Sequence, residues 1–243
     1  MNDQAAHRML ISLHLPKTAG SSLRNSLQEH YGPRLIKDYL SSPTLTPRPW
    51  REIKAIAALL YNGIRRFQEI ECIHGHFLPF KYLLIGARRN AAYITWMRDP
   101  VERLASNYWY MRNPPPYAMP NYIREKMMRE QWTLEQYLLA PELRNECSIY
   151  LWGMSIKRFD FIGLTEHFDE DFRYFCRVFL GTELPAEHQN RNTAKQSEKY
   201  VTDPDLYARV AAFHAKDMAM YQYALKQRAA RISEEAAQAW TTD

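Results

Sequence analysis

Three short stretches hold the side chains with which this chain could do chemistry. In the first, Pro16-Lys17-Thr18-Ala19-Gly20-Ser21-Ser22 follows an apolar run of strand length, Met9, Leu10, Ile11, Leu13 and Leu15. The chain breaks at Pro16 and turns through Gly20. A helix can then start with Ser21 or Ser22 as its cap and keep Leu23 and Leu27 on one side to about Tyr31. Helix-start amides, small residues, two hydroxyls and a lysine together make an anion site, and phosphate is the expected guest. The lysine precedes the single glycine, so the order differs from the triphosphate loop in which lysine follows a second glycine.

The second stretch is ECIHGHF, residues 71–77, a strand that ends before Pro79. Alternation puts Cys72, His74 and His76 on one face. Three readings are open. A zinc site lacks a fourth ligand in the pattern. Core histidines bonded to backbone are the plain structural alternative. A histidine at a strand end beside a phosphate loop can also take the proton of an acceptor hydroxyl, and His76 is the better placed of the two.

In the third stretch, AAYITWM predicts a buried strand and RDPVERLASNY, residues 98–108, follows it. Asp99 reads as an N-cap, Pro100 as the first helical residue and Glu102 as the partner in a capping box. None of that requires Arg98 at the strand's end or Ser106 two turns into the helix. A guanidinium fork and a hydroxyl converging on one point grip a phosphate.

These motifs carry a resemblance. PKTAGSS resembles the 5′-phosphosulfate loop, and RDPVERLASNY the 3′-phosphate segment, of sulfotransferases that use 3′-phosphoadenosine 5′-phosphosulfate (PAPS). His74-Gly75-His76 is similar to the His-x-His pair of the heparan sulfate 2-O-sulfotransferase branch, whose second histidine is the base. The resemblance runs from Leu13 to about Tyr221, with FIGLTEHFDE and LRNECSIYLWG as weaker matches. It implies that Lys17, Thr18, Ala19, Gly20, Ser21 and Ser22 hold the 5′-phosphate, with Lys17 also against the bridging oxygen. Arg98 and Ser106 would hold the 3′-phosphate, while Arg103 and Tyr108 support the helix. His76 would be the catalytic base, with His74 orienting His76 or the acceptor. The implied acceptor is a hydroxyl, on a carbohydrate by likeness to that branch, and the implied reaction needs no metal.

The rest of the chain predicts scaffold. Residues 41–50, SSPTLTPRPW, read as a loop, and a helix follows with Ile53, Ile56, Ala57, Leu60, Ile64 and Phe67 as its core stripe. Arg51, Lys54, Arg65 and Arg66 lie mostly off that stripe and read as a solvated face. NPPPYAMPN, residues 113–121, is a proline-rich excursion. Helices follow to Trp152, with Leu134, Tyr137, Leu138 and Leu143 as core. FDFIGL predicts a strand leading into a helix over residues 167–180, with Glu166 explained by the helix dipole. Residues 184–199 read as a loop whose Arg191 and Lys195 are candidates to cover the nucleotide. Asp203 and Pro204 start a last amphipathic helix.

At 243 residues the chain supports one domain. The reading divides it into a polar tail (1–8), an α/β domain with a mainly parallel sheet flanked by helices (9–227) and a charged tail (228–243). A net charge of +5 suits an anionic ligand. Three widely spaced cysteines, Cys72, Cys147 and Cys176, argue for a reducing compartment. No apolar run reaches the length that spans a bilayer, and since many eukaryotic carbohydrate sulfotransferases are membrane-anchored, the resemblance implies a soluble, cytoplasmic, bacterial member. Two other classes fit less well. A phosphoryl-transfer enzyme would place the loop lysine after the glycine, and a nucleic-acid or polyanion binder would gather its basic residues into a stripe.

Overall fold

The computed structural model describes residues 8–39, 43–65, 67–114, 121–185 and 199–240. Within these residues the chain forms five strands: β1 (Leu10–Leu13), β2 (Leu35–Asp38), β3 (Cys72–Gly75), β4 (Ala92–Met97) and β5 (Phe161–Leu164). They form one sheet in the order β2-β3-β1-β4-β5, and every pairing is parallel. Strands β1, β3, β4 and β5 are buried throughout, as a parallel sheet covered on both faces requires. β2 is absent from the sequence reading. As an edge strand it buries only Leu35 and Asp38, so no apolar run marks it.

One face of the sheet, with Leu10, Cys72, Ile94, Trp96 and Phe161, is covered by α1 (Gly20–Tyr31) and α8 (Phe168–Phe175). The other, with Ile11, Ile73, Tyr93 and Ile162, packs against Ile85, Tyr150, Tyr221 and Ala224. These come from α3 (Leu83–Arg88), α7 (Glu146–Tyr150) and α10 (Ala215–Trp240). A third core joins α4 (Pro100–Arg112), α5 (Tyr122–Arg129), α6 (Leu134–Leu138) and α9 (Pro204–Phe213). α2 (Arg48–Ile64) packs on α3 and on the turn at Pro79–Tyr82.

Four expectations are corrected. Neither Ser21 nor Ser22 caps α1, because Ala19 takes that place in the left-handed region at φ 61°. The stripe on α2 faces water: Ile53, Ile56, Leu60 and Ile64 are exposed, and only Phe67, beyond the helix, is core. The buried side of α2 is instead Ala55, Asn62 and Gly63. Small residues let α2 approach closely, with Leu84 against Gly63 and Asn62 donating to the Lys81 carbonyl at 3.2 Å. The last helix is two, parted at His214. Residues 228–240 are no tail but the end of α10, where Arg228 and Arg231 bind the buried carboxylate of Asp171 at 3.0 and 2.6 Å. At the other end, Arg8 ties to Asp160 at 3.0 Å, and residues 1–7 lie outside the described residues.

Candidate functional site

Register brings the three motifs together. Leu13 is level with Gly75 on one side and Thr95 on the other, so His14, His76 and Arg98 leave the carboxyl ends of three adjacent strands. Ligand sites in parallel sheets form at such ends.

The loop after β1 is closed by its own residues. The Thr18 hydroxyl donates to the Leu15 carbonyl at 2.8 Å, so Thr18 shapes the loop instead of offering that proton outward. Lys17 (φ 66°) and Ala19 (φ 61°) both lie in the left-handed region, which side chains with a Cβ enter at a cost of about 1–3 kcal/mol each. Backbone turns through the left-handed region are of the kind that can present successive amides to an anion. Gly20 is helical, and its need for glycine is steric: a Cβ there would fall inside the His14 imidazole.

Lys17 is pushed down to about 8, first by burial and then by the positive charge of Arg98. Its Nζ rests 4.3 Å above the Tyr110 ring, and among the described residues no carboxylate pairs with it. A lysine with no carboxylate partner of its own suits an anionic guest.

His14 and Tyr39 complete a cluster that the spacing of the motifs did not reveal. The His14 ring stacks on His76 at 4.2 Å between centroids and on His74 at 5.4 Å. Tyr39 Oη shares a hydrogen bond with His14 Nδ1 at 3.1 Å. His76 Nδ1 lies 2.6 Å from the His14 carbonyl oxygen. A carbonyl only accepts, so Nδ1 carries the proton and neutral His76 keeps its lone pair on Nε2. Burial lowers the His76 pKa, opposed by the His14 carbonyl and the Glu146 charge. His74, fully buried, is lowered to about 3, mainly by burial and then by His76. Its Nδ1 pairs with Ser12 Oγ at 2.9 Å. Gly75 lies between the two histidines because the Asp38 carbonyl of β2 occupies the space of a Cβ. Cys72 does not join them. It packs among Leu10, Leu23 and Leu27, and burial pushes its thiol up. No group of three or more metal-ligating side chains was found among the described residues.

Arg98 is held where β4 ends. Its guanidinium lies 3.9 Å from Glu102 and over the Tyr200 ring at 5.5 Å. Asp99 caps α4 as expected, accepting from the amides of Val101 and Glu102 at 2.9 and 3.1 Å. The expected box does not form. Glu102 accepts from the amides of Tyr200 and Val201, and Glu166 reaches across from the end of β5 to take the Asp99 amide at 2.7 Å. Ser106 lies buried in α4, and no hydrogen bond among the described residues joins it to Arg98. Arg103 is fully buried and pairs with Glu146 at 2.8 Å, while Tyr108 packs within the same core. Arg191 and Lys195 lie outside the described residues.

No protein-family model matches the chain, and no curated protein does. Among solved structures, the mouse sulfotransferase SULT7A1, solved with PAP, aligns over 91% of this chain and 90% of its own, at 12% identity and TM-score 0.43. A sulfotransferase from Alicyclobacillus acidocaldarius is similar over 88% of this chain and 94% of its own, at 17% identity and TM-score 0.42.

Proposed function

We propose that this chain transfers a sulfuryl group from PAPS to an acceptor hydroxyl, with a carbohydrate as the acceptor class. The observation that carries the reading is the convergence of the Lys17 loop, His76 and Arg98 at the carboxyl ends of three adjacent strands, with His76 of fixed tautomer. Bound at this point, PAPS would supply an activated sulfuryl group. The amides at the start of α1 and Lys17 hold its 5′-phosphate side, and Lys17 offsets the charge that develops on the leaving oxygen. Arg98, with Ser106 further along α4, binds the 3′-phosphate. His76 Nε2 accepts the acceptor's proton, and the positive charge that forms on the ring is eased by the His14 carbonyl at Nδ1. His74 and His14 orient His76. Three unpaired, buried cysteines agree with work in a reducing compartment, the cytoplasm on this reading.

Calorimetric titration with adenosine 3′,5′-bisphosphate, AMP and ATP tests this directly. The bisphosphate should bind most tightly, and Arg98→Ala should weaken it by about 10- to 100-fold, the loss of one charged hydrogen-bonding partner. Equal affinity for AMP would refute the assignment, and a magnesium-dependent preference for ATP would favour phosphoryl transfer. Transfer to glycan acceptors, abolished in His76→Ala, then tests the acceptor class.

A further inference from the structure

The outward face of α2 has no use in the chemistry above. Trp50, Ile53, Ile56, Leu60 and Ile64 form one solvent-facing arc, and Leu84 of α3 extends it. Ile64 is 78% exposed, Trp50 63% and Leu60 61%. Contiguous apolar surface of this kind marks an interaction site. Its border carries basic residues: Lys54 and Arg65 lie along one edge of the arc, and Arg88 lies exposed one turn beyond Leu84. The only acid on the helix, Glu52, is paired with Arg48 at 2.8 Å.

We propose that α2 is a docking helix for an anionic lipid surface, lying in the interface with its apolar arc among the acyl chains and Lys54 and Arg65 at the headgroups. The charges select this occupant. Apolar centre, tryptophan near the helix start, basic edge and no unpaired acid are the pattern of helices that lie in membrane interfaces. A second copy packed on the same face would bring its own basic border against this one, with no carboxylate on the arc to offset it. The buried side of α2 is fixed to the turn at Pro79–Tyr82, where Lys81 and Tyr82 both hold Asp38. Docking therefore needs no unfolding of the helix from the domain. No helix among the described residues is long and apolar enough to cross a membrane, so the contact is with one leaflet.

Co-sedimentation of the full chain with phosphatidylcholine vesicles, with and without phosphatidylglycerol, tests the proposal. The protein should sediment with the anionic vesicles and much less with the neutral ones. Leu60→Glu with Ile64→Glu should weaken the partition by about tenfold or more through lost apolar contact. Lys54→Gln with Arg65→Gln should weaken it by about 25-fold, at about fivefold for each positive charge removed. All four positions are exposed, so an unchanged melting temperature would show that the variants fold. Binding that is equal with and without phosphatidylglycerol, or unchanged in both variants, would overturn the assignment. A dimer in analytical ultracentrifugation that Leu60→Glu with Ile64→Glu dissolves, with no sedimentation on vesicles, would give the face to a second copy instead.

Discussion

Lys17 and His76 set opposite limbs of the expected pH dependence. Lys17, depressed to about 8 by burial and by Arg98, loses its ammonium as pH rises through that value, and kcat/KM for the anionic donor should fall there. His76 titrates below its ordinary value because it is buried, so the acid limb should lie below the usual imidazole range. The profile should be bell-shaped, and Lys17→Arg should shift or remove the alkaline limb because a guanidinium stays charged. Lys17→Ala should lower kcat by about 10²- to 10³-fold. Gly20→Ala makes a separate test of the cluster. Its Cβ collides with His14, and the variant should lose about 1–3 kcal/mol in urea unfolding, most of it recovered when His14→Ala is added. The places of Lys17, His76 and Arg98 just beyond strand ends were legible because each sits in a motif with a local reason. His14 and Tyr39 were not, since their place beside His76 depends on β1 pairing with β3 and on an edge strand that leaves no pattern.

Among the elements, α4 and α7 are joined through a buried ion pair. Burial opposes charge on Arg103, but Cys147, Glu146 and Asp217 beside it together raise its pKa. Arg103→Met would leave Glu146 buried without its partner and should cost about 3–5 kcal/mol in urea unfolding. Adding Glu146→Gln should return part of that loss. α7 and α10 also cap each other: Asp217 accepts from the amides of Cys147 and Ser148, and Asn145 Oδ1 accepts from that of Lys216. No local signal announces such reciprocity across about seventy residues. Periodicity did locate α2, yet assigned its stripe to the core. The period of a helix tells which residues share a face, whereas the side that is buried follows from what packs there, here Gly63 against Leu84.

For the whole molecule, the buried histidines make stability depend on acid. An unfolded imidazole takes up a proton near pH 6.5, while burial holds His74 down to about 3 and His14 well below its ordinary value. Between those limits the unfolded chain binds more protons, so the fold loses stability as pH falls below about 6.5. The urea midpoint should drop between pH 7 and 5, with a shallower slope in His74→Gln. Truncation after Gln227 tests the reach of the domain: Asp171 would lose both arginines, and the melting temperature should fall, whereas a dispensable tail would leave it unchanged. The α/β class and parallel sheet were legible because four short, mostly apolar strands, buried throughout, alternate with helical stretches. Finally, β1 is central, and its Leu10 pairs with Cys72 and Ala92. On a growing chain the strand emerges early but has no neighbour on its β4 side until β4 has been made. Closing such long loops is slow, which makes this topology a late-forming one. On the proposed reading the anion site at Lys17, though written early in the chain, is complete only when the chain has grown past Arg98, and anion binding should report a late event in refolding.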